Sequence, residues 1–146
     1  ASKSVPIAFS LAKIPVINKL LTFITPRFLV RSSVENVYFD NSKVTDLVVE
    51  RYFNLTLRAG NRKAFVDRLK IPKDTSTHKN IKNIQQPTLI LWGAEDLLIP
   101  VENAYKFQED LPNNTLVILE KTGHTPMEES PLESLEIVLN FLKTSP

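Results

Sequence analysis

The chain has 146 residues, 42% of them hydrophobic, and a net charge of +2 from 18 Lys and Arg against 16 Asp and Glu. It is domain-sized and apolar enough for a buried core, and its interspersed charges form neither the basic stripe of a nucleic-acid binder nor an acidic disordered tail. The lack of cysteine excludes disulfides, thiolate zinc sites and a cysteine nucleophile, and two well-separated histidines, His78 and His124, do not make a histidine-rich metal site.

Residues 1–78 read as a run of short helices. Ile7 to Ile14 and Val16 to Ile24 are apolar segments punctuated by Pro15 and Pro26, giving two short helices or one kinked helix. Lys13, Lys19 and Arg27, with Pro6, Pro15 and Pro26, argue against a membrane span through Val5 to Val30. No secretory leader is expected; the residues leave the compartment open, with the cytoplasm favoured. Arg31 to Tyr38 is a further, weakly patterned helix. Thr45 caps a helix reaching about Arg58, with Val48, Tyr52, Leu55 and Ala59 along its apolar stripe and Gly60 suited to its C-terminal cap. Asn61 caps the next, Arg62 to Leu69, with Ala64, Phe65 and Leu69 along one side. Ile71 to Gln86 is polar and reads as a linker.

From Pro87 the pattern changes. Pro-Thr-Leu-Ile-Leu-Trp (87–92) is a short apolar run of the kind found in strands buried on both faces, and Thr115 to Leu119 is a second. Val101 to Leu111 between them has helical spacing and is broken by Pro112. Strand, helix, strand with this crossover is a right-handed βαβ unit with parallel strands. Ser130-Pro131-Leu132-Glu133 then forms a capping box opening a closing helix, whose Leu132, Leu135, Val138 or Leu139, and Leu142 are expected to face the sheet. Asp96 and His124 thus fall just past the C-terminal ends of two neighbouring strands, where open parallel sheets place ligands and chemistry. Adjacent strands lie ~4.8 Å apart, so the two side chains can meet as the acid and base of a catalytic triad. An imidazole with an unperturbed pKa of ~6.5 can take a proton from a hydroxyl and return it to a leaving group, while a carboxylate fixes its tautomer.

The run Trp92-Gly93-Ala94-Glu95-Asp96-Leu97-Leu98-Ile99-Pro100, followed by Gly123-His124, resembles the C-terminal part of the α/β-hydrolase fold family. The resemblance implies an α/β fold in which a helical cap precedes the C-terminal βαβα unit of the parallel sheet. Residues 1–78 would be the cap, 79–86 a linker and 87–146 the C-terminal part of the core. It gives Asp96 the role of triad acid and His124 that of base, implies hydrolysis of carboxylic esters, and requires neither cofactor nor metal. The apolar segment Val5 to Leu29, read as part lid and part core of the cap, points to an apolar small-molecule substrate. The departure is the nucleophile. None of Gly60, Gly93 and Gly123 flanks a serine in a Gly-x-Ser-x-Gly elbow, and the oxyanion-hole segment and central strands are not represented. This chain alone is expected to be a fragment and catalytically inactive. Its partner would be the missing N-terminal half, or a second copy joined through an exposed sheet edge. An aspartate nucleophile would instead imply an epoxide hydrolase or haloalkane dehalogenase. The competing class is a non-catalytic binding or dimerisation module.

Other residues have plainer readings. Glu95 is expected to point to solvent, His78 to sit idle in the linker, and Trp92 to pack at the strand end. Glu128 or Glu129 is expected to bond backbone near the closing helix, and Asn61-Arg62 to tie the helices together. Tyr38 and Tyr52 are candidate hydroxyls for an epoxide-opening site, with core packing favoured for Tyr52 because it falls on the apolar stripe of its helix.

Overall fold

A computed structural model describes residues 14, 23–68, 70–72 and 76–144. The predicted helices over 7–14 and 16–24 lie, but for Ile14, Phe23 and Ile24, outside the described residues. The chain divides into two compact units, with residues 37–40 belonging to the second along with the C-terminal half.

The described part of the first unit holds α1 (Arg27–Glu35), a short 3-10 turn (Asn41–Lys43), α2 (Asp46–Leu57) and α3 (Asn61–Arg68). Helix α1 starts four residues before the expected Arg31, because Pro26 is extended at its N-cap (φ −62°, ψ 138°). It stops at Glu35, where the Asn36 side chain donates to the Ser32 carbonyl (2.6 Å) and competes with the next turn. Thr45 caps α2 as predicted, its Oγ1 accepting from the Val48 amide at 3.3 Å. The buried face of α2 differs from the expected stripe: Val49 is wholly buried, and Leu55 and Ala59 are exposed. Apolar residues lie on two sides of this helix, so their spacing alone does not say which side turns in. Arg27 and Arg31 of α1 pair with Glu50 and Asp46 of α2, one turn apart and flanking Val49.

Gly60 has φ +86°, a left-handed conformation that a side chain adopts only with strain. Its carbonyl accepts from Ala64 (2.8 Å), so Gly60 and not Asn61 occupies the cap of α3. The Asn61 side chain instead closes the turn by donating to the Leu55 carbonyl (2.7 Å), and Arg62 donates to the Phe23 carbonyl. Along α3, Val66 is the buried residue and Ala64 is exposed. Hydrogen bonds from Lys63 on this helix and Lys70 just beyond it hold the Asp67 carboxyl below the usual carboxylate range.

The second unit is built on β1 (Thr88–Gly93) and β2 (Asn114–Leu119), paired in parallel with Thr88 opposite Asn114 and Gly93 opposite Leu119. The crossover is α4 (Glu102–Asp110), whose Ala104, with Ile90 and Leu111, forms a core bordered by Ile81, Trp92, Val101, Leu116 and Ile118. Leu119 is 1% exposed, which corresponds to about 1.5–3 kcal/mol of burial free energy for one leucine. The segment read as a linker carries a 3-10 helix, Thr77–Asn83, and its Ile81 joins this core. The strands are less enclosed than expected. Ile90, Gly93 and Leu119 are buried, but most strand residues are only half-buried. Among the described residues the sheet has two strands, so each has one unpaired edge.

After β2 come α5 (Pro126–Glu129), a single turn not foreseen from the sequence, and α6 (Pro131–Thr144). Helix α6 turns its other side to the unit. Ser134 is buried, with Ile137 and Phe141 half-buried, whereas Leu132 is 81% exposed and Leu135, Leu139 and Leu142 are also exposed. Ser134 is drawn inward by a hydrogen bond from its hydroxyl to the Pro126 carbonyl (2.9 Å), which fixes the rotation of the helix. Among the described residues no helix is long and apolar enough to cross a membrane.

Candidate active site at the ends of the parallel strands

The two side chains singled out from the sequence meet. His124 Nδ1 lies 2.8 Å from Asp96 Oδ2, with the Asp96 side chain 4% exposed and that of His124 30% exposed. This is the arrangement expected of a buried orienting carboxylate with an imidazole whose other edge reaches solvent.

The loop after β1 holds Asp96. Asp96 Oδ1 accepts from the amides of Leu98 (2.9 Å) and Ile99 (2.8 Å), an Asx-type turn that assigns one oxygen to the backbone and leaves the other for His124. The indole of Trp92 donates to the Ile99 carbonyl (3.0 Å) and its ring lies near Phe107, so Trp92 also pins the far side of this loop.

The loop after β2 holds His124, and three successive amides anchor it. Thr122 N donates to Glu95 Oε2 (2.9 Å), Gly123 N to Glu129 Oε2 (2.6 Å), and His124 N to the Val37 carbonyl (2.7 Å). The expectation that Glu95 points to solvent is therefore wrong. It is half-buried and reaches across to the neighbouring loop, while its own amide donates to the Thr122 carbonyl (3.1 Å). Glu129 does bond backbone, but in the histidine loop and the 37–40 segment, not in the closing helix. The Ser130 hydroxyl, expected in a capping box, lies 3.0 Å from the Thr122 hydroxyl.

Two glycines are required by contact. A Cβ on Gly93 would lie 2.7 Å from the Thr122 carbonyl carbon and closer still to the carbonyl oxygens of Thr122 and Gly123. A Cβ on Gly123 would lie 2.5 Å from the Val37 oxygen and 2.7 Å from the Phe39 nitrogen. The strand ends and residues 37–39 thus touch through bare backbone, which brings the Asp96 and His124 loops together.

Tyr38 is buried, and its hydroxyl donates to Glu128 Oε2 (2.8 Å), so it is engaged by a carboxylate instead of standing ready for an epoxide oxygen. The Tyr52 ring lies 5.2 Å from the Arg51 guanidinium, a cation–π contact within the helical unit. His78 is exposed in the 3-10 helix. No group of three or more His, Cys, Asp or Glu placed to hold a metal occurs among the described residues.

A model of the α/β-hydrolase fold family matches residues 17–131. The chain is 28% identical over 114 residues to an uncharacterized hydrolase, YugF, of Bacillus subtilis, a match covering 78% of this chain and 42% of that protein. It is 31% identical over 81 residues to the monoacylglycerol lipase ABHD6 of Rattus norvegicus, covering 56% and 24% respectively. Among solved structures it superposes on MGS-M2, an α/β-hydrolase enzyme from a Medee basin deep-sea metagenome library (TM-score 0.73, 21% identity, 99% of this chain and 54% of that one). It also superposes on CarC, a serine hydrolase involved in carbazole degradation (TM-score 0.72, 26% identity, 81% and 47%). The chain spans less than half the length of these two curated relatives.

Proposed function

The chain belongs to the α/β-hydrolase fold family, and on that premise we propose that Asp96 and His124 are the acid and base of an ester-hydrolysing triad. The observation that carries this reading is the 2.8 Å contact between His124 Nδ1 and an Asp96 carboxylate whose second oxygen is held by two backbone amides. A carboxylate so fixed keeps the imidazole proton on Nδ1 and leaves the Nε2 lone pair as the base.

The nucleophile would be a serine in the intact protein, outside this chain. His124 Nε2 takes the hydroxyl proton as the oxygen attacks the ester carbonyl. The imidazolium then gives that proton to the departing alkoxide, leaving an acyl-enzyme and a free alcohol. Water, deprotonated by the same nitrogen, cleaves the acyl-enzyme to the carboxylic acid and restores the hydroxyl. Asp96 stabilises the imidazolium in both halves without taking the proton.

Esters of apolar acids are the substrate class proposed. The lipase name of one relative and the apolar sequence of residues 5–29 are in keeping with this. Epoxide opening is less well supported, because Tyr38 is already bonded to Glu128. The test is hydrolysis by the intact protein of p-nitrophenyl esters of increasing acyl length. kcat/KM is expected to rise from acetyl to medium-chain acyl esters. Highest activity on acetyl esters would sink the apolar preference, and no turnover of any ester would sink ester hydrolysis.

A further inference from the structure

The triad reading uses Asp96 and His124 but leaves unexplained the most deeply buried carboxylate among the described residues of the same unit, Glu129, at 2% exposure. Its two oxygens serve two different segments. Oε2 accepts from the Gly123 amide at 2.6 Å, and Oε1 from the Asp40 amide at 2.7 Å. One of these amides directly precedes the base. The other belongs to residues 37–40, whose Val37 carbonyl takes the amide of His124 itself at 2.7 Å. The carboxylate therefore clamps the histidine loop to the strip of backbone on which His124 rests. Gly123, unable to carry a Cβ there, lets the two come together.

We propose that Glu129 is a positioning residue for His124, setting where the imidazole stands relative to Asp96 and the nucleophile. The proposal rests on the triad reading given above and adds to it a residue that touches no reacting atom. Charge and shape both matter here. Two N–H donors converge on one side chain, and only a carboxylate presents two acceptors. A glutamine of the same length must turn its NH2 toward one of the donors, so one clamp bond is lost in either rotamer. Glu95, bonded to the Thr122 amide, holds the previous residue of the loop, so the loop loosens at Gly123 and not along its whole length. A loosened loop shifts a base whose placement matters to within an ångström, and misplacement on that scale costs about 10²-fold in rate.

The test compares wild type, Glu129→Gln and His124→Gln in the intact protein, by ester-hydrolysis kinetics, unfolding midpoints and the imidazole resonances of His124. Glu129→Gln is expected to lower kcat about 10²-fold while KM changes less than about 3-fold. Its His124 imidazole resonances are expected to be displaced or broadened in a protein that still unfolds cooperatively. A kcat within about 3-fold of wild type overturns the proposal, as does a loss confined to KM. If Glu129→Gln does not fold, Glu129→Asp is judged by the same criterion, since its shorter side chain keeps the charge but cannot span both amides. Failure of both to fold would make Glu129 a folding residue and also overturn the proposal. The parallel variant separates the two failures. Activity surviving in His124→Gln removes the triad reading, whereas an inactive His124→Gln beside a fully active Glu129→Gln removes the positioning role alone.

Discussion

Exchange of His124 for glutamine in the intact protein is expected to lower kcat for ester hydrolysis by about 10⁴-fold or more, with KM little changed. The loss falls on kcat because, in the proposed mechanism, the imidazole acts on the proton moved in the transition state and not on the bound ester. Asp96→Asn is expected to cost about 10⁴-fold, and the geometry says why. Asp96 Oδ1 accepts two amides, from Leu98 and Ile99, so an asparagine must keep its oxygen there. Its NH2 then faces His124 Nδ1, which has to become an acceptor, and the ring proton moves to Nε2. The nitrogen that should take the nucleophile's proton already carries one. Steady-state rates against substrate concentration check both variants, and a kcat within about tenfold of wild type in either would contradict the assignment.

Gly93→Ala is expected to be the most damaging single methyl group in the molecule. The added carbon would overlap the carbonyl oxygens of Thr122 and Gly123, which are backbone atoms fixed by the pairing Ala94 N to Leu119 O (2.9 Å) and Glu95 N to Thr122 O (3.1 Å). No rotamer change relieves this, so the two loops must separate. A loss of about 3–5 kcal/mol is expected, read as a fall in the urea midpoint of the intact protein or as failure to accumulate folded. Gly60→Ala is the control. Nothing lies within 4 Å of its added carbon and only its φ of +86° is strained, so about 1 kcal/mol is expected. Equal midpoints for the two variants would contradict the close-approach argument.

The Gly93 result bears on what could be read from the chain alone. The motif placed Gly93 and Gly123 correctly, but the reason for each glycine is a contact with another segment. The strands and their crossover were legible because 87–92 and 115–119 are short apolar runs bounded by turn residues, a local signal. The meeting of Asp96 and His124 was legible because each follows such a run. The clamp was not legible: Glu129 reaches Asp40 across 89 positions, and Glu128 reaches Tyr38 across 90, with nothing periodic to announce it. Glu95 looked solvent-facing for the same reason.

The errors in helix orientation have a different origin. Helices α2 and α6 carry apolar residues on more than one side, so spacing finds the helix without saying which side turns inward. In α2 the side that turns inward is that of Val49, with the ion pairs of Asp46 and Glu50 to α1 on either side of it. In α6 the choice follows the Ser134 hydroxyl, bonded to Pro126, which leaves the Leu132, Leu135, Leu139 and Leu142 side exposed. The short helix α5 escaped notice because four residues carry no period at all.

The most direct measurement of the acid–base pairing is the protonation pattern of the His124 imidazole, read from 15N and 1H NMR of the histidine-labelled intact protein above neutral pH. The expected spectrum has the proton on Nδ1, shifted downfield by its bond to Asp96, with Nε2 unprotonated and the downfield line lost in Asp96→Asn. A proton on Nε2 with a bare Nδ1 would contradict it, because an imidazole in that form has no free nitrogen facing the nucleophile.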